Sequence, residues 1–250
     1  MPITAAQLLY ANVEKDRSPH QRSGFQTLFY SRSRLSEAEV APVMSTESPP
    51  KAGMLNVAAW QARSVVNGPG ERFVLWLQGC PRRCPGCINP EFLPIIPRHL
   101  IAVEQMAARI LAVTGIEGVT YSGGEPFLQA APLAVLSAHL QAKGLGIACY
   151  SGYNTLQELQ DHPDPGVQAL LARLDLLIDG PYIQAQTAPL RWRGSANQQL
   201  HFLSPRYTAD ADSQPAPAAE VELSLDAKGL AVTGFWPEEL LRRLKQVLEN

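Results

Sequence analysis

Gly79-Cys80-Pro81-Arg82-Arg83-Cys84-Pro85-Gly86-Cys87-Ile88-Asn89-Pro90 is the stretch on which the reading of this chain turns. It holds three of the four cysteines, Cys80, Cys84 and Cys87, in the spacing C-x3-C-x2-C. Thiolates are soft ligands that suit iron–sulfur clusters and zinc. Three cysteines on one short loop can bind three irons of a 4Fe-4S cube, which leaves the fourth iron open to substrate. A structural zinc knot takes four ligands, usually as two pairs. No second cysteine pair exists, so the ligand count favours the open cluster. Structural zinc completed by a histidine such as His99 stays as the alternative.

Working outward, the run Phe73–Gln78 is apolar and bounded by glycines, which predicts a buried strand leading into the cysteine loop. Leu100, Val103, Met106, Ala107, Ile110 and Leu111 recur at helical spacing, predicting a helix over 99–113. Strands are expected at 118–122, 146–150, 174–179 and 200–203, with helices around 133–140, 154–161 and 166–173 between them. Strands alternating with helices imply a parallel sheet with right-handed crossovers. Periodicity leaves a doubly wound sheet and a partial barrel equally open. Residues 220–225 and 229–233 are expected to pair as a hairpin. Pro237 opens a further helical pattern, and 208–219 reads as a surface loop.

Residues 1–53 differ in composition and end in Ser45-Thr46-Glu47-Ser48-Pro49-Pro50, a linker-like string. They are expected to form a partly ordered N-terminal extension, with the main domain over 54–250. Within the extension, 5–10 suggests a short strand or helical turn, 24–30 has β-favouring residues, and Ser36–Val40 suggests a helix start.

The chain has 250 residues, 46% of them hydrophobic, and a formal net charge of −2. That balance suits a globular protein and lends no basic footprint for nucleic acid. No apolar run approaches the roughly 18 residues of a membrane span. The clustered cysteines do not resemble a disulfide framework, so a reducing cytoplasm is expected. None of the five histidines forms a spaced pair, and no Gly-x-Ser-x-Gly string occurs, so hydrolytic chemistry is not indicated.

The cysteine spacing on a loop after a strand resembles the radical S-adenosylmethionine superfamily. The longer string Val66-Asn67-Gly68-Pro69-Gly70, then Arg72–Cys80, resembles the activating proteins of anaerobic ribonucleotide reductase and their relatives. Many superfamily members carry an aromatic just before the third cysteine; here it is Gly86, as in that narrower group. The resemblance implies an open, incomplete α/β barrel with the cluster at the C-terminal ends of the strands. It implies a 4Fe-4S cluster on Cys80, Cys84 and Cys87, with S-adenosyl-L-methionine (SAM) on its open iron.

Ser122-Gly123-Gly124-Glu125-Pro126 lies at a strand end, where α/β folds bind ligands. It resembles the family's motif for the SAM amino group, so Gly123, Gly124, Glu125 and Pro126 are candidate cofactor residues. Two glycines let backbone amides and carbonyls approach a methionine moiety. Ser151 and Asp179 end the next two strands and are candidates for the ribose or amino end. The alternative for Asp179 is a carboxylate satisfying amides of the following turn. Arg193, in the similar string Arg191–Gln198, is a candidate partner for a cofactor carboxylate. Arg82 and Arg83 are candidates for an acidic surface on an electron donor or target. Cys149 reads as a small core residue.

The activity implied is reductive cleavage of SAM to a 5′-deoxyadenosyl radical that abstracts hydrogen from a partner protein, a glycyl radical enzyme. A flavodoxin- or ferredoxin-like donor is implied as the electron source. A radical SAM enzyme that modifies a peptide or another protein is the alternative. From another class, a non-enzymatic iron–sulfur electron-transfer protein remains, against which the Gly123–Pro126 motif speaks.

Overall fold

The computed structural model describes residues 24–25, 28–31, 53–208, 220–226 and 229–236. In chain order its strands begin with β1 (Gly24–Phe25), β2 (Leu28–Ser31), β3 (Met54–Ser64), β4 (Arg72–Leu77), β5 (His99–Ala102), β6 (Gly118–Gly123) and β7 (Gly146–Tyr150). They continue with β8 (Leu176–Asp179), β9 (Thr187–Leu190), β10 (Arg193–Ser195), β11 (Gln199–Phe202), β12 (Glu220–Asp226) and β13 (Gly229–Trp236). Four α-helices are described: α1 (Val103–Leu111), α2 (Ala130–Gln141), α3 (Leu156–Gln160) and α4 (Pro165–Leu171).

The main sheet runs β11-β8-β7-β6-β4-β3-β5 and is open. Its centre is parallel: β4 pairs with β6, β6 with β7 and β7 with β8. Every residue of β4 and of β8 is buried. Strands covered on both faces read as continuous apolar runs, which is why these were legible. α1 turns Val103, Met106, Ala107 and Ile110 inward against that sheet.

The expected open α/β sheet is present, and it is mixed: β11, β3 and β5 join its parallel centre antiparallel. One expectation is corrected. Residues 99–102 are strand rather than helix: they pair with Met54–Val57, and α1 begins only at Val103. Their spacing suited a helix, but open hydrogen-bonding groups on β3 claimed them for the sheet edge.

A second sheet joins both ends of the chain. The expected hairpin forms as β12 and β13, and β13 also pairs with β1 and with β2. Residues 24–25 and 28–31 thus share one sheet with 220–226 and 229–236. It meets the main domain where Asn67 Nδ2 donates to Thr233 Oγ1 at 3.1 Å, both residues fully buried. The expected elements at 5–10, 36–40 and after Pro237, and the loop 209–219, lie outside the described residues.

At the N-terminal end of the parallel strands sits Arg72, fully buried. It donates to Thr120 Oγ1 at 2.8 Å, Tyr207 Oη at 2.7 Å and the carbonyls of Pro69, Val119 and Gly146 at 2.9, 2.7 and 3.0 Å. This guanidinium ties the starts of three strands together and leaves their opposite ends as the ligand rim.

Candidate metal and cofactor site

The exits of β4, β6, β7 and β8 converge on one pocket. It is lined by Cys80, Cys84 and Cys87, by Gly123, Gly124 and Glu125, by Ser151 and Gly152, and by Gly180 and Pro181. Parallel strands place their C-terminal ends side by side, so four loops far apart in sequence meet there.

All four cysteines are free thiols. The Cys87 amide donates to the Cys84 carbonyl at 3.0 Å, closing a tight turn that turns both residues toward the pocket. Cys80 is buried, and burial pushes its thiol up to about 11, helped by Glu125, Cys87 and Cys84 nearby and opposed by the Arg82 amide. Among the described residues no three His, Cys, Asp or Glu side chains close around a single ion. The pocket lining holds three cysteines and no histidine, one ligand short of the four that a structural zinc takes. His99 faces Trp60 at 6.4 Å between ring centroids on the edge strand β5 and is not part of the pocket wall.

A second observation fits a bound group. Asn89 is 3% exposed, and its side-chain oxygen has no hydrogen-bond partner among the described residues. It belongs to the wall of the same pocket. A buried acceptor left unpaired costs about 1–3 kcal/mol unless a ligand or water supplies the donor. Soft thiolates and an unmet acceptor around one cavity suit a cluster with an organic co-ligand carrying N–H or O–H groups.

The glycine pair works differently from the sequence-based expectation. The Gly124 amide donates to Leu77 O at 2.8 Å and the Glu125 amide to Gly79 O at 2.9 Å. A Cβ on Gly124 would fall 2.1 Å from Gly79 O. The glycines therefore seat the loop after β6 directly on the backbone leading to Cys80. Those two amides are spent inside the protein and are not offered to a ligand.

Glu125 is also internal. It is 1% exposed. Its carboxylate accepts from Phe127 N at 3.1 Å, Ser151 Oγ at 3.1 Å and Gly152 N at 2.8 Å. Burial raises its carboxyl above the usual range; the hydrogen bonds from Gly152, Phe127 and Ser151 and the charge of Arg82 pull the other way. Ser151 thus lines the pocket while its hydroxyl is turned to Glu125.

Three candidates are not brought to the pocket wall. Asp179 lies 2.7 Å from His201 Nε2 through its Oδ2, so its carboxylate faces the antiparallel neighbour β11 rather than a ligand or its own turn. Its neighbours Gly180 and Pro181 line the pocket instead. Arg193 gives way likewise to Gly194, and Pro126 is buried as the first residue of a 3-10 turn. Two wall residues, Gln198 and Asn89, were not singled out from the sequence. Gln198 accepts from the Gly194 amide at 2.8 Å and donates to Gly180 O at 3.0 Å, bracing the exit of β8. An exposed-looking glutamine after a turn carries no sequence signal of that role.

A sequence model of the 4Fe-4S single cluster domain matches residues 66–201, the span that contains every wall of this pocket. The chain belongs to this family. It is 38% identical over 157 residues to the anaerobic ribonucleoside-triphosphate reductase-activating protein of Vibrio cholerae, covering 59% of this chain and 97% of that protein. Identity to the protein of the same name from Escherichia coli is 32% over 158 residues, 60% of this chain and 99% of the other. The pyruvate formate-lyase-activating enzyme of Staphylococcus aureus is 35% identical over 120 residues, 42% of this chain and 48% of that enzyme. The 4Fe-4S resemblance drawn from the cysteine spacing is therefore real homology, and its span leaves out both ends that build the second sheet.

Proposed function

We propose that this protein is a radical SAM enzyme of the glycyl-radical-activating type, with its 4Fe-4S cluster on Cys80, Cys84 and Cys87. The observation that carries it is the meeting of those three thiols with the Gly123–Glu125 loop in one pocket, in a chain that spans nearly the whole length of relatives named as activating proteins. Once reduced by an external one-electron donor, a bound cluster would supply that electron to SAM, whose carbon–sulfur bond would break to give methionine and a 5′-deoxyadenosyl radical able to take hydrogen from a glycine of a partner protein.

The protein's own groups then act by position. Cys80, Cys84 and Cys87 give up their protons on loading, since metal ligands bind as thiolates. Asn89 Oδ1 accepts from an N–H or O–H of the bound group. The carbonyls of the Gly123–Gly124 turn are the acceptors for the cofactor amine, the Gly124 and Glu125 amides being engaged. Glu125 holds the loops after β6 and β7 at a constant separation, and Gln198 does the same for the loop after β8. No side chain is required as acid or base.

The test is anaerobic reconstitution, expected to load about four irons per chain as one cube, followed by dithionite and SAM. Formation of 5′-deoxyadenosine with a full cluster supports the proposal; a full cluster without cleavage favours an electron carrier. Electron paramagnetic resonance of a glycyl radical on a co-expressed reductase separates the activase from the alternative. A peptide- or protein-modifying enzyme is favoured by one feature, the second sheet that lies outside the aligned span.

A further inference from the structure

Arg82 stands inside the cysteine loop but makes its contacts elsewhere. Its guanidinium carbon sits 4.8 Å from the ring centroid of Tyr153, in the loop after β7. Its Nη2 lies 3.4 Å from Glu158 Oε1 on α3. A Cβ on Gly152 would come within 2.7 Å of its Cδ, so the stem runs tightly over that glycine. The receiving side is itself anchored. Glu158 Oε2 accepts from the Asn154 amide at 2.8 Å, and Tyr153 packs edge-on against Phe127 at 6.2 Å. Phe127 follows the Gly-Gly-Glu-Pro turn, so one arginine couples the loops after β4, β7 and β6.

Resting on the proposed function, we infer that Arg82 is a positioning residue: a strap that clamps the cysteine loop onto the loop after β7 and keeps a fixed positive charge beside the cluster. The expectation that Arg82 meets an outside partner is replaced by this inward role; Arg83, exposed on the same loop, stays available to one. Planar stacking on an aromatic and a charged partner suit arginine more than lysine.

The strap is tested first without iron. Hydrogen exchange of the iron-free protein, read by mass spectrometry, is expected to rise about three- to tenfold in Arg82→Ala for peptides covering 81–88 and 151–158 together. Arg82→Lys should recover only part of the protection. Unchanged exchange, or a rise confined to 81–88, overturns the proposal. If Arg82→Ala loses its fold by circular dichroism, Glu158→Gln on the helix surface carries the same comparison. In reconstituted protein the midpoint potential of the cluster should become more negative in Arg82→Ala than in Arg82→Lys, because a nearby cation favours the added electron. Equal potentials in both variants and the wild type remove the electrostatic half of the claim. Failure of the wild type to load iron would refute the proposed function, while the exchange measurement still decides the strap.

Discussion

Glu125, at the end of the β6 exit, and Gly152, at the end of the β7 exit, are joined by a 2.8 Å hydrogen bond from the Gly152 amide to Glu125 Oε2. With Ser151 on the other oxygen, one buried carboxylate ties two loops of the pocket together. A motif glutamate that reads as a ligand contact is therefore a brace.

Removing the brace should loosen the pocket without touching the thiols. Glu125→Ala leaves the Gly152 amide and Ser151 hydroxyl unpaired and should cost about 2–3 kcal/mol. Urea unfolding measures the loss. A SAM dissociation constant unchanged by the substitution would show that the brace is not needed for binding.

The same carboxyl sets a pH dependence. Its folded-state value lies above the ordinary glutamate value of 4.5 because burial disfavours the charge. The folded state therefore binds the proton more tightly, and this contribution to stability grows as pH falls from the raised value toward 4.5 and is lost on going up. Iron-free wild-type protein should gain on Glu125→Gln in relative stability between neutral pH and pH near 5, the variant lacking that slope. Parallel pH profiles for the two proteins would count against it.

Gly124→Ala should be far more damaging than a surface substitution. The new methyl would meet Gly79 O at 2.1 Å, a contact only backbone movement can relieve. Displacing Gly79 displaces Cys80, so iron content after reconstitution should fall sharply. Retention of full iron would show that the loop can slide.

Cys84→Ala should abolish the cluster, whereas Cys149→Ala should leave iron content unchanged. Cys149 is fully buried in β7, and its thiol donates to Tyr150 O at 3.4 Å. Burial raises its thiol well above the ordinary range, keeping it protonated and inert. The expected cost of Cys149→Ala is a small cavity of about 1 kcal/mol.

Arg72→Met tests the far end of the sheet. It would remove five hydrogen bonds, two of them to the buried carbonyls of Val119 and Gly146, for a loss above about 3 kcal/mol by thermal or urea unfolding. The folded fraction should still load iron, since the site lies at the opposite strand ends.

Local pattern was sufficient wherever a residue's role is settled by its neighbours in the chain. The cysteine spacing pointed to the 4Fe-4S family to which the chain belongs, and the mostly apolar runs of β4, β6, β7 and β8 named the buried strands, since burial on both faces admits polar residues only where they are hydrogen-bonded, as Arg72 and Thr120 are. The hairpin of β12 and β13 was legible for the same local reason. What the chain alone left undecided was every matter of pairing between distant segments. Residues 99–102 became strand because β3 offered an open edge, and β1 and β2 joined a sheet with β13 near the other end of the sequence. Glu125, Asp179 and Arg82 each look free to meet a ligand or partner when read in sequence. Only the folded arrangement sets Gly152, His201 and Tyr153 within reach of them, because a buried or half-buried charge takes whichever opposite dipole, ring or charge the tertiary packing places beside it.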